Sequence, residues 1–310
     1  MKTQSMLSAL VLVMVVMTGC TVTTHGTQAA TLGTAKSTGD LLAVMTEPGT
    51  VELESINSAD WAVDRSGLIN LGNPIAKEAG LKEGDEKIQV YFHVIRHPTK
   101  GTFIVDTGVE TALRDAPEKS ALSGLVRGAM HMEKLSVNLP LGEWVAREPK
   151  LDGVFLTHMH LDHITGMADV PKGTPVFTGP GEAKDTNFMY FLVRGSTDKA
   201  MEGKPAISEW QFTADPTNTV DGVLDIFGDG SVWAIWVPGH TPGSTAYLVR
   251  TAKGPVLLTG DASHTRWGWD NHVEPGTFTG DARRGTESFK KLQAFAAAHP
   301  EIEVRVGHQH

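Results

Sequence analysis

Four strand-like runs in this chain each lead into a histidine or an aspartate, and that recurrence constrains the fold more than any other feature. "LDGVFLTH" (Leu151–His158) enters "HMHLDH" (His158–His163). "SVWAIWVPGH" ends at His240, "GPVLLTGD" ends at Asp261, and "IEVRV" (Ile302–Val306) leads to Gly307 and His308. Glycine and proline punctuate the intervals. Ligand-type side chains that recur at strand ends belong to the loops at the end of a layered sheet, where function is carried.

Other segments agree with a sheet-based core. "KIQVYFHVI" (Lys87–Ile95) alternates, with Ile88, Val90, Phe92 and Val94 on one face. "TFIVDTG" (Thr102–Gly108) and "STAYLVR" (Ser244–Arg250) read as further strands. "TESFKKLQAFAAAH" (Thr286–His299) predicts an amphipathic helix with Phe289, Leu292, Phe295 and Ala296 on one face and Thr286 as its N-cap. Two groups of strands with helices outside predict a layered α/β (α+β) domain, its two sheets packed face to face.

His158 and His160 flank Met159 in an extended loop, so alternation sends both imidazoles the same way, toward one ion. Asp162 and His163 fall at a helix start and face a second ion nearby. His240, Asp261 and His308 are the remaining candidates. Taken alone, His240 reads equally well as a hydrogen-bonded loop histidine. Asp261 alone reads as a turn aspartate, and His308 alone as part of a frayed terminus, with His310 its competitor. Seven such residues at four strand ends do not read as packing, because uncompensated they would crowd polar groups into one spot. Cys20 is the single cysteine. The domain therefore has no disulfide and no thiol ligand, and a metal site must be built from histidines and carboxylates.

"HMHLDH", "PGHTPGS", "LLTGD" and the terminal "GH", with "FIVDTG" before them, resemble the metallo-β-lactamase-fold hydrolase superfamily over roughly residues 51–310. The resemblance implies an αββα sandwich of two mixed sheets with outer helices and metals in a cleft at one edge. It implies one metal on His158, His160 and His240, a second on Asp162, His163 and His308, and Asp261 bridging both. Asp106 would orient a ligand histidine. This donor set suits two divalent ions, zinc first, though iron, manganese or cobalt fit the same ligands. Two such ions about 3.5–4 Å apart hold a bridging hydroxide and lower the pKa of water to about 7, so no serine, cysteine or lysine nucleophile is needed. Asp162 would pass a proton to the leaving group.

Within that superfamily, "LLTGDASHT" and "SFKKLQAF…VGHQ" are most similar to the quorum-quenching N-acyl-homoserine lactonases, which implies attack on a lactone carbonyl. That family has a tyrosine three residues after the bridging aspartate. Here the position is His264, expected to donate to the same substrate oxygen. Trp267 and Trp269 are expected on an apolar substrate wall, with core packing the rival reading, and Tyr190 as a further contact. Met132–Pro140 and Phe188–Gly195 are candidates to cover the cleft, the second equally a helix buried on one face. The same site could serve an organophosphate or phosphodiester hydrolase or a β-lactamase-like enzyme, although Asp261 argues against the last. A non-catalytic metal-binding lipoprotein is the alternative of another class.

Lys2, the apolar run Met6–Met17 and "MTGC" (Met17–Cys20) resemble a bacterial lipoprotein signal, with Cys20 lipidated. The alternative is a secretory signal cut near Ala29–Ala30. Residues 21–45, rich in Thr, Gly, Ala and Ser, are expected to form a flexible tether with His25 solvated, leaving 46–310 as the hydrolase domain. Export to the periplasm or outer membrane follows. A net charge of −9 over 310 residues disfavours nucleic acid and anionic membrane as partners. The expected partner is a small-molecule substrate, with membrane contact only through the lipid and a homodimer allowed.

Overall fold

Alternation along the strand Asp85–His97 decides which way the first sheet faces. Ile88, Val90, Phe92 and Val94 are buried against outer helices and loops, while Ile95 points toward a second sheet. This computed structural model describes residues 20–310 apart from Pro149 and Phe188. The expected export signal up to residue 19, and Phe188 in the expected cover, lie outside the described residues.

The first sheet has eight strands in the order Thr27–Ala29, Ile207–Glu209, Val176–Thr178, Gly153–Phe155, Gly101–Val105, Asp85–His97, Glu52–Asp64 and Ser136–Val137. Pairing is parallel as far as Gly101–Val105 and antiparallel beyond it. The second sheet has six, in the order Glu303–Arg305, Gly254–Leu258, Thr245–Thr251, Val232–Trp236, Gly222–Asp225 and Thr34–Lys36. Its first pair is parallel and the rest antiparallel.

Period-two alternation sorts the side chains into four layers. Phe103, Val105 and Phe155 meet Tyr247, Val249 and Leu258 between the sheets. Ile104 and Val154 turn outward to Leu141, Trp144 and Ile164. On the other side, Leu248 and Leu257 turn outward to Leu292, Phe295 and Ala296 of the helix Ala282–Ala298. Trp210 and Tyr247 bury their rings but not their needs: Trp210 Nε1 donates to Tyr247 Oη at 3.1 Å, and Tyr247 donates to Leu156 O at 2.9 Å. The result is the αββα sandwich of mixed sheets implied by the resemblance.

Two expectations need correction. Residues 21–45 are not a tether. Thr27–Ala29 and Thr34–Lys36 pair with the edges of both sheets, and the helix Thr38–Met45 buries Leu41 and Met45. Composition misleads here because an edge strand needs few apolar residues; unpaired N–H and C=O groups at a sheet edge supply its partners. Thr23 and Thr24 also donate to Asp198 of the helix Tyr190–Ala200, and His25 Nε2 meets Pro205 O at 2.8 Å. The last long helix starts at Ala282, where Asp281 accepts from Arg284 N, so Thr286 lies inside it and bonds Ala282 O instead of capping. The segment Met132–Pro140, one of the two expected covers, supplies the edge strand Ser136–Val137, and its Lys134 lines the cavity that also holds His160 and Asp162.

Candidate metal centre

The strand Gly153–Phe155 ends just before the histidine motif. Thr157–His160 continues extended, and His160 precedes the short helix Leu161–Ile164, which carries Asp162 and His163. His240 sits in the turn after Val232–Trp236, Asp261 in the 3₁₀ turn Gly260–Ala262, and His308 just past Glu303–Arg305. The fold brings these ends together at one edge of the sandwich.

Two groups of donor atoms form there, His158, His160 and His240, and Asp162, His163, Asp261 and His308, and a third, His240, Asp261 and His264, overlaps both. His240 Nε2 lies 3.1 Å from His158 Nε2 and 2.8 Å from His160 Nδ1. Asp261 Oδ2 lies 3.4 Å from His240 Nε2, 3.4 Å from His163 Nε2 and 3.7 Å from His158 Nε2. Its Oδ1 stands 3.3 Å from His308 Nε2, which is 3.4 Å from Asp162 Oδ2. Asp261 therefore touches both groups. Ligand atoms around a tetrahedral ion at about 2.1 Å stand about 3.4 Å apart, close to the 3.3–3.7 Å separations around Asp261 and wider than the 2.8 and 3.1 Å within the first group. His163 Nε2 and Asp261 Oδ1 are buried without a hydrogen-bond partner. Several imidazole nitrogens facing one another with no donor to share are orphans that a cation satisfies. The residues fit metal ions.

Neighbouring groups aim the ligands. Asp106 Oδ2 accepts from His163 Nδ1 at 2.8 Å and from Thr157 Oγ1 at 2.8 Å, while its Oδ1 accepts from Thr157 N at 2.8 Å. This leaves His163 Nε2 facing the cluster. Asp106 holds a φ of 57°, a left-handed conformation that costs a non-glycine residue on the order of 1 kcal/mol. His308 Nδ1 donates to Gln89 O at 2.9 Å.

Burial, with His163 and His240 alongside, holds the His158 imidazole well below its ordinary value. Burial and His160 do the same to His240. Both are neutral near pH 7, the form that binds metal. Burial alone would raise Asp261, yet His264, His308 and His163 hold its carboxyl well below the carboxylate range. Burial also opposes charge on His163, but Asp261, Asp106 and Asp162 prevail and hold it well above its ordinary value.

Residues 86–308 match the metallo-beta-lactamase superfamily. The chain belongs to that superfamily. An N-acyl homoserine lactonase AttM from Rhizobium radiobacter is 32% identical over half of this chain, and the match spans only 57% of that protein. The protein of the same name from Azorhizobium caulinodans is 31% identical over 217 residues, 68% of this chain and 79% of its own length. A solved dizinc quorum-quenching lactonase, AidC, superposes with a TM-score of 0.53 at 15% identity, covering 90% of this chain and 92% of that one. At that identity the likeness speaks for the fold alone. Fold and cluster are those of a metal-dependent hydrolase of this superfamily.

Within that frame the structure sorts the other residues singled out in the sequence. His308 joins the cluster, whereas His310 lies outside it, its ring stacked on Tyr91 with centroids 3.8 Å apart. His264 is buried, its Nε2 3.2 Å from Asp261 Oδ2, and neither ring nitrogen has a hydrogen-bond partner. Tyr190 lines the adjoining cavity and donates to Asp185 Oδ2 at 2.6 Å. Trp267 and Trp269, expected on a substrate wall, are not among the residues that line this cavity: Thr265 caps the helix Arg266–Asp270, and both indoles are partly buried against core clusters, Trp269 against Phe289. Trp61, Leu68, Ile88, Met130, Val193 and Phe278 form the apolar walls instead. Sequence reasoning also missed Glu182, Thr157 and Gln89, whose roles depend on contacts across the fold that no local motif announces.

Proposed function

We propose that this chain hydrolyses lactones of the N-acyl-homoserine type with two divalent ions, zinc first among them, held by His158, His160 and His240 and by Asp162, His163 and His308, with Asp261 shared. The observation that carries the reading is the position of the cluster at the floor of a cavity of about 620 Å³ whose walls are largely apolar, with Asp64, Asp85, Lys134 and Asp185 among them. Such a lining suits a small uncharged ring bearing an acyl arm. The names of the two AttM relatives point the same way.

When bound, the ions activate water and polarise the ester carbonyl. The chain's own residues do the rest. The walls exclude water from the acyl arm and orient the ring. The His264 imidazole N–H donates to the carbonyl oxygen as it gains charge. Asp162, half-buried at the cavity floor, takes the proton of the attacking water and delivers it to the ring oxygen as the acyl C–O bond breaks, leaving an open hydroxy acid. His264→Ala is expected to lower kcat/KM on the order of 10²-fold with metal content unchanged. An unaltered kcat/KM on the best substrate removes His264 from the mechanism.

The test is metal analysis of the purified chain followed by turnover of short- and long-chain N-acyl homoserine lactones, a phosphotriester and a β-lactam. Two ions with chelator-sensitive ring opening support the reading. Two ions with turnover of only the phosphotriester or the β-lactam sink the lactone assignment. One ion or none without turnover favours a metal-binding scaffold.

We also propose export and anchoring through a lipid on Cys20, on the strength of the "MTGC" signal. Among the described residues no helix is long and apolar enough to cross a membrane, so on this reading a lipid is the anchor. Cys20→Ser is expected to abolish labelling by radioactive palmitate and to release the chain from the membrane fraction. Retention of label in that variant overturns the anchor.

A further inference from the structure

Glu182 is 1% exposed, in the turn Glu182–Lys184, and plays no part in the chemistry described above. Three donors converge on its carboxylate. Met159 N donates to Oε1 at 2.7 Å, while Thr241 Oγ1 and Gly243 N donate to Oε2 at 2.6 Å and 3.0 Å. Met159 lies between His158 and His160, and Thr241 follows His240. One buried carboxylate thus ties together the two loops that carry all three imidazoles of the first group. A backbone bond from Thr245 N to Thr157 O at 2.9 Å joins the bases of those loops, and Glu182 joins them further out, beside the ligands.

The close approach is built in. A Cβ on Gly243 would stand 2.6 Å from Glu182 Cβ, and one on Gly179 would stand 1.8 Å from Gly243 O. Neither position tolerates a side chain without moving the loops apart. Burying a carboxylate costs several kcal/mol unless its oxygens are satisfied, and here they are satisfied by groups on the ligand loops rather than by a partner cation.

We propose that Glu182 is a positioning residue for the His158, His160 and His240 site, setting the separation of its two loops so that the three nitrogens converge on one ion. The inference rests on reading that group as a metal site. In Glu182→Gln the shape is kept, but one oxygen becomes an NH₂. The Thr241 hydroxyl can turn to accept from it. Whichever way the amide lies, either Met159 N–H or Gly243 N–H faces a donor and loses its acceptor.

The experiment is titration of the chelator-stripped full chain with Co²⁺, read by the visible spectrum and by competition with a chromophoric chelator. Glu182→Gln is expected to weaken one site by about 10–100-fold and to alter its spectrum, while the site of Asp162, His163 and His308 keeps its affinity. Thr241→Ser, which retains the hydroxyl, is expected to match the parent, and Thr241→Val to fall between. If Glu182→Gln does not fold, Thr241→Val carries the test. Two sites of unchanged affinity in every variant, or equal weakening of both, overturns the role of Glu182. A parent chain that takes up no Co²⁺ overturns instead the reading of the cluster as a metal site.

Discussion

Asp261→Asn is expected to hold at most one ion and to lose on the order of 10³-fold or more in kcat/KM. The carboxylate is 3.2–3.7 Å from four imidazole nitrogens through Oδ2, and its Oδ1 is 3.3 Å from a fifth, that of His308. Its two oxygens thus stand against donors of both groups. Asparagine keeps the shape but replaces one anionic oxygen with an NH₂, which offers no lone pair to a cation. The remaining oxygen is neutral, so two divalent ions would stand close together without the negative charge that screens them. Activation of water and polarisation of the carbonyl both depend on that pair. Elemental analysis of the purified variant, set beside its turnover, reads the result. Two ions per chain with kcat/KM within tenfold of the parent would falsify the bridging role.

Stripping the metals from the parent chain is expected to abolish turnover reversibly and to lower Tm by about 10 °C. Ligand present at about 1,000 times its Kd stabilises the folded state by about 4 kcal/mol, and for a chain of this size each kcal/mol is worth about 2–4 °C. The metal-free cluster adds to the difference: His158 and His240, held neutral by burial, press their ring nitrogens against their neighbours. Calorimetric scans with and without chelator, followed by zinc addition, give the shift and its reversal. A Tm indifferent to chelator would mean that the histidines are packed and hydrogen-bonded for structure alone.

The sandwich and its cluster were readable in one dimension for a physical reason. Strand period and helix period are local, so Lys87–Ile95 and the face of Phe289, Leu292, Phe295 and Ala296 declare themselves within a few residues. The density of ligand types in "HMHLDH", and the return of a His or Asp after each of three later strands, likewise need no coordinates to be noticed. Strand ends that carry such groups have one economical arrangement, side by side at a sheet edge, and the structure adopts it.

Pairing between distant segments settled the rest. Residues 21–45 look like a tether because their own side chains bury little, but the open edges formed by Ile207–Glu209 and Gly222–Asp225 take them in. Trp267 and Trp269 could have lined the cavity or packed on the core, and the capped turn at Thr265 lays them, partly buried, against it. His308 and His310 are the same residue type two positions apart; the bond from His308 Nδ1 to Gln89 O and the stack of His310 on Tyr91 separate them. Glu182 is an unremarked residue of a loop until Met159, Thr241 and Gly243 close around it. The order of residues along the chain sets which side chains are available to bind metal and the periods that put them at strand ends. The fold decided which of them meet, because a hydrogen bond or a shared ion depends on separation in space and not on distance along the chain.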